Sequence, residues 1–156
     1  MAIATHAEAN SLVESWTASD SRRKHVLAVE CALRAYARRF GENVERWGFT
    51  GLLHDFGYER YPNADQRADE EHPAEGVRYL RSQGEDEEMC QAILGQAHYT
   101  GVGRETRVAK TLFVCDEHIS FVLAAMRAAS SSLGLDGRLA QGSTSSTAST
   151  PPRGGA

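Results

Sequence analysis

Nowhere in the 156 residues do eighteen apolar residues follow one another, the length a helix needs to cross a bilayer. The start, MAIATHAEANS, also lacks the basic segment and apolar core of a secretory leader. No membrane partner is therefore expected, and a cytoplasmic location is. Cysteine is scarce: Cys31, Cys90 and Cys115 are odd in number, far apart and set in apolar helical patterns, which fits buried thiols in a reducing compartment rather than a disulfide framework. Positive charge is in deficit, with 17 Lys and Arg against 21 Asp and Glu and a net charge of −4. No broad positive field then draws nucleic acid polymers or anionic membranes. Alternating polar and apolar runs of strand length are missing too, which argues against sheet folds.

What is present points to helices. A composition of 41% hydrophobic and 24% charged residues is that of a globular chain, and the length suits one domain with a real core. Val26, Val29, Leu33 and Ala37 recur at helical spacing between residues 23 and 40, with Arg34, Arg38 and Arg39 on the other side and Gly41 as a stop. The stretch NVERWGFTGLLHDFG predicts a second helix that buries Val44, Trp47 and Leu52, ends near Gly57, and holds His54 and Asp55 in its last turn. Tyr58 to Glu71 has no period and reads as a loop. A short helix starts beside His72 and Pro73 and stops at Gly84; another begins in the acidic run EDEE and ends after His98, near Gly101. The longest helix carries Val108, Leu112, Cys115, Ile119, Val122 and Met126. Beyond Ala140 the residues are small and polar with Pro and Gly, so residues 141–156 are expected to be a disordered tail. His6 is also expected to be disordered. The fold class is all-α.

Chemistry concentrates in six residues at helix ends or on apolar faces, where an unpaired polar group is costly: His25, His54, Asp55, His72, His98 and Asp116. Taken singly, each is more readily a capping or core residue than a ligand. Jointly, imidazole and carboxylate donors suit Mn, Fe, Co, Ni or Zn, and the lack of cysteine partners argues against a closed thiolate zinc site.

The order His, His-Asp, His, His, Asp resembles the HD-domain superfamily of metal-dependent phosphohydrolases, particularly its small stand-alone bacterial members. The resemblance lies in KHVLAVECALRAYA, WGFTGLLHDFGYER, EHPAEGVRYLRSQG, AILGQAHYTGVGRET and AKTLFVCDEHISF, and fades after about Met126. It implies a single HD-domain bundle of about five to six helices over residues 8–128. It further implies two divalent ions, one on His25, His54 and Asp116, the second on His72 and His98, with Asp55 bridging.

Two such ions would activate water and clamp a phosphoryl oxygen, so hydrolysis of a phosphomonoester or phosphodiester in a small substrate is the expected function. Asp55 and His54 are then the catalytic candidates, with Glu59 available for proton transfer. Lys24, Arg60 and Arg104 lie within a few residues of the ligands as cationic substrate contacts, and Tyr99 as a hydrogen-bonding one. Arg67 and Lys110 are candidates of the same kind, Arg104 is the preferred phosphate contact, and Tyr58 and Tyr61 flank the site. The same ligand set resembles that of di-iron HD oxygenases, which cleave C–P or C–C bonds with O2. Other HD-like domains are regulatory binding modules.

Overall fold

The computed structural model describes residues 2–132. Six α-helices and one short 3-10 turn make up the regular structure, and no strand occurs among the described residues. The chain divides into two compact units, residues 1–121 and 122–156. In the second, residues 122–132 are the C-terminal part of a helix, and the expected tail at 141–156 falls outside the described residues. No described helix is long and apolar enough to cross a membrane.

Local signals set the helix ends. The first helix, α1 (His6–Trp16), opens with a reciprocal cap: the Thr5 hydroxyl accepts from the Glu8 N–H and the Glu8 carboxylate accepts from the Thr5 N–H. Its presence corrects the expectation of a disordered His6, whose ring lies 3.1 Å from the Glu30 carboxylate. Ser19 caps α2 (Asp20–Phe40), which stops at Gly41 in the left-handed region, φ 70°. Only Glu42 and Asn43 then separate Gly41 from α3 (Val44–Leu53), so α2 and α3 pack as antiparallel neighbours. The regular helix ends at Leu53, shorter than the expected end near Gly57, and residues 54–60 form tight turns. The remaining helices are α4 (Ala74–Ser82), α5 (Glu87–Gly95) and α6 (Arg107–Ser132). His98 lies beyond α5, in the 3-10 turn His98–Thr100.

One continuous core joins the helices. Leu33 of α2, Leu52 and Leu53 of α3, Leu80 of α4, Ile93 of α5 and Leu112 of α6 are essentially inaccessible. Each such side chain stabilises by roughly 1.5–3 kcal/mol, against about 1 kcal/mol for a helix cap. Packing therefore decides the arrangement, and caps decide where helices begin. On α6 burial covers Val108, Leu112 and Cys115, while Val122 and Met126 are exposed.

At Gly51, α3 lies close against the backbone of α2. A Cβ built on Gly51 would stand 2.9 Å from the Glu30 Cα and 3.0 Å from the Glu30 N. Only glycine permits that contact, because backbone atoms of a packed helix cannot rotate aside. Gly51→Ala is expected to destabilise the fold by about 1–3 kcal/mol through overpacking, read as a lower urea midpoint. An unchanged midpoint would show that α3 has room to move away from α2.

Candidate metal centre

The Gly51 contact places the last residues of α3 beside the first turns of α2. His54 follows one turn after Gly51, and His25 precedes Glu30 along the antiparallel partner, so the two rings meet edge to face, 5.2 Å between centroids. Their Nε2 atoms are 3.2 Å apart. From α6, Asp116 brings Oδ1 to 2.9 Å from His25 Nε2 and 3.5 Å from His54 Nε2. Two donors each about 2.1 Å from one ion stand roughly 3.0–3.4 Å apart in octahedral or tetrahedral geometry. The three separations, 2.9, 3.2 and 3.5 Å, lie within or close to that range.

The tautomer of His54 fits as well. Its Nδ1 lies 2.7 Å from the Gly51 carbonyl oxygen, which can only accept, so Nδ1 carries the proton and the neutral ring turns the Nε2 lone pair toward His25 and Asp116. Two buried histidines and the half-buried Asp116 thus bring three donor atoms to one point. A divalent ion satisfies all three at once.

Asp55 and His72 stand next to this group. Asp55 Oδ1 is 3.9 Å from His54 Nε2 and 3.0 Å from His72 Nε2. The carboxylate thus lies between the three-donor group and His72, the position a bridging ligand requires. Gln96 holds this arrangement, its amide donating to the His54 carbonyl at 2.9 Å and lying 3.4 Å from His72 Nε2. The Tyr99 hydroxyl donates to the His72 carbonyl, and the Tyr58 ring meets the His72 ring edge on. His98 is exposed, its ring against Phe113 and its Nδ1 3.4 Å from Arg104.

A cleft of about 710 Å³ opens over the site, and Asp55, His72, His98, Tyr99 and Asp116 all line it. Four other residues expected there are engaged elsewhere. The Glu59 carboxylate accepts the Ala18 and Ser19 N–H groups at 2.8 and 3.0 Å, so it holds the entry to α2. Lys24 pairs with Asp20 at 2.6 Å on an exposed surface of α2. Arg60 lies over the Trp16 ring and donates to the Ser15 carbonyl. Arg104 stacks on Phe113 at 3.8 Å and does not line the cleft. Glu59 and Arg60 are carried away by the turns at 54–60 and Lys24 by its exposed position on α2, whereas Arg104 stays beside His98 but behind the cleft wall.

Arg22 was not singled out by sequence reasoning. Its Nη1 donates to Asp55 Oδ2 at 2.6 Å, its guanidinium lies 3.8 Å over the Tyr58 ring, and it lines the cleft. The available signal was its place one helical turn before His25, which sets both on one face of α2. In RRKH that signal is hidden among neighbouring basic residues.

Electrostatics reflect the crowding. Burial raises the carboxyl of Asp55, but His54, His72 and Arg22 outweigh it and hold it well below the usual carboxylate range. Asp116 is likewise pushed up by burial and held low by His25 and His54. For His54 burial lowers the pKa, yet Asp55 and Asp116 prevail and raise it from 6.5 to about 9. In the metal-free protein the raised pKa of His54 stabilises the fold fully below 6.5, and that contribution is lost as pH rises through about 9. A cation must displace the His54 proton, so divalent-metal affinity is expected to rise as pH increases from 7 toward about 9, then level off. Titration calorimetry across that range checks it, and affinity independent of pH would contradict it. His54→Ala and Asp116→Asn are each expected to lower bound metal by roughly tenfold or more while the helical circular dichroism persists. Full metal content in both variants would overturn the site.

No curated protein and no solved structure matches this chain. A family model does: the HD domain matches residues 22–119, from Arg22 at the cleft to three residues past Asp116. That span covers well over half of the chain and every residue of the three-donor group. HD domains bind divalent metals and are commonly hydrolases, and this protein belongs to the HD-domain family.

Proposed function

We propose that the protein is a metal-dependent phosphohydrolase that cleaves a phosphate ester in a small substrate. The observation that carries this reading is the convergence of His25, His54 and Asp116 donors beneath a cleft whose wall also presents Asp55 and His72. A divalent ion held there would lower the pKa of a coordinated water and polarise a phosphoryl oxygen. In the reaction, water adds to phosphorus, the P–O ester bond breaks, and the alcohol leaves with inorganic phosphate from a monoester or with a phosphomonoester from a diester.

The chain's own residues supply the rest. His25, His54 and Asp116 would hold one ion. Asp55 would connect it to a second ion on His72 and His98, with Mn, Fe, Co, Ni and Zn the metals whose preferences fit N and O donors. Asp55 also has the position for orienting the attacking water, because its carboxylate stays ionised under the positive charge of His54, His72 and Arg22. Gln96 and Tyr99 would keep the His72 ring aligned through the bonds they make to it and to its backbone.

The test starts from metal-stripped protein reloaded anaerobically with each of the five metals and assayed on phosphomonoesters and phosphodiesters with and without O2. The expected outcome is metal-dependent release of phosphate or of a cleaved monoester, unaffected by oxygen. Consumption of O2 by the iron form without hydrolysis of any ester would replace the hydrolase with an oxygenase. Absence of both reactions in every metal form would favour a binding module.

A further inference from the structure

Among the residues lining the cleft, Arg22 alone carries a fixed positive charge. Of the other basic residues near the ligands along the chain, Lys24 pairs with Asp20, Arg60 lies over Trp16, Arg67 pairs with Glu70 and Asp65, and Arg104 stacks on Phe113 with its Nη2 3.4 Å from His98 Nδ1, behind the cleft wall and not in its lining. Lys110 lines a different groove, with Arg39 and Phe40. Among the described residues, Arg22 is therefore the guanidinium that the cleft wall itself presents to an entering anion.

That guanidinium is held ready. Stacking on Tyr58 at 3.8 Å fixes its plane, and Asp55 Oδ2 takes one of its five N–H donors at 2.6 Å. The same carboxylate reaches His72 through Oδ1, so Arg22 stands one carboxylate away from the donors that would hold metal. A phosphoryl group with one oxygen toward a cation there would turn another toward Arg22. A planar fork suits two terminal oxygens of one phosphoryl group, which a point-charge lysine does not match.

The charge balance limits the substrate. Asp55 and Asp116 offset one divalent ion, and a second ion on His72 and His98 would be met by the phosphoryl group it binds, so beyond the ions the described lining offers the charge of Arg22 alone. A phosphomonoester carries a charge of about −1.5 to −2 near pH 7, and each further phosphoryl group of a di- or triphosphate needs cationic partners that the lining lacks. Apart from Ala97, the remaining lining is polar and uncharged: Tyr58, Asn63, Gln66, Gln96, Tyr99 and Ser120. Hydroxyls and amides of that kind suit a hydroxyl-bearing, uncharged leaving group.

We infer that Arg22 is the phosphoryl anchor of this cleft and that the cleft takes a small monoester bearing a single phosphoryl group on a polar, uncharged body. The substrate class rests on the phosphohydrolase reading above, whereas the anchor can be read from binding alone. The experiment uses the metal-loaded full chain, with inorganic phosphate as the calorimetric probe and Arg22→Gln and Arg22→Lys as variants. Metal content and thermal midpoint are measured on each.

Arg22→Gln is expected to keep its metal and weaken phosphate binding tenfold or more, with Arg22→Lys intermediate. On esters, the Gln variant raises KM by a similar factor with a smaller change in kcat. Wild-type protein turns over a monoester with a higher kcat/KM than the di- or triphosphate of the same alcohol. Phosphate binding unchanged in Arg22→Gln, or loss of metal from both variants, would overturn the anchor. A preference for the triphosphate would overturn the charge argument. If no ester is hydrolysed but phosphate binding still falls in Arg22→Gln, the anchor stands and the hydrolase reading fails.

Discussion

The close approach of α3 to α2 at Gly51 governs most of what this molecule can do. With a Cβ there 2.9 Å from the Glu30 Cα, no other residue type lets the two helices lie at this distance. The contact is far from chemistry in itself. Its effect is to bring His54, at the end of one helix, against His25, near the start of the other, and to expose the Gly51 carbonyl that orients the His54 ring. Packing thus sets the donor geometry before any ligand takes part.

Burying this many ionisable groups together is costly, and the structure shows how the cost is offset. Two carboxylates and three imidazoles crowd together, His25, His54 and Asp116 within 3.5 Å of one another and Asp55 3.0 Å from His72 and 3.9 Å from His54, with Arg22 closing the charge on one side. Each carboxylate is held ionised by positive neighbours in spite of burial. Such an arrangement destabilises an apolar core, and its persistence reflects a function for charge at this point. A similar economy appears in the support of the site: Gln96 and Tyr99 hold backbone carbonyls as well as the ring, so the imidazoles have few alternative positions.

Much of the fold was legible in the sequence because helical periodicity is a local property. The apolar spacing of α2 and α6, the stop at Gly41 and the breaks around Pro62 and Pro73 all reappear in the structure. The first helix was missed although Thr5-His6-Ala7-Glu8 carries the spacing of a capping box, because its apolar residues are few and Ala9 and Val13 gain their burial only from the rest of the core. The end of α3 was placed too late because His54 to Gly57 continue the helical pattern, whereas the chain turns there and buries Phe56 against Trp16.

Residue type and order by themselves marked which side chains could serve as ligands: His25, His54 and Asp116 converge, Asp55 and His72 stand beside them, His98 lines the same cleft, and their sequence order carried the family. Tertiary structure alone decided their company. Sequence neighbours of the ligands, Glu59, Lys24, Arg60 and Arg104, turn to a helix entrance, to the surface or onto aromatic rings. Arg22 instead enters the cleft, because α2 rotates about a hundred degrees per residue and brings forward the side chain one turn from His25, passing over those adjacent to it. Ligand chemistry is a property of a residue, and reach is a property of the packed backbone that carries it.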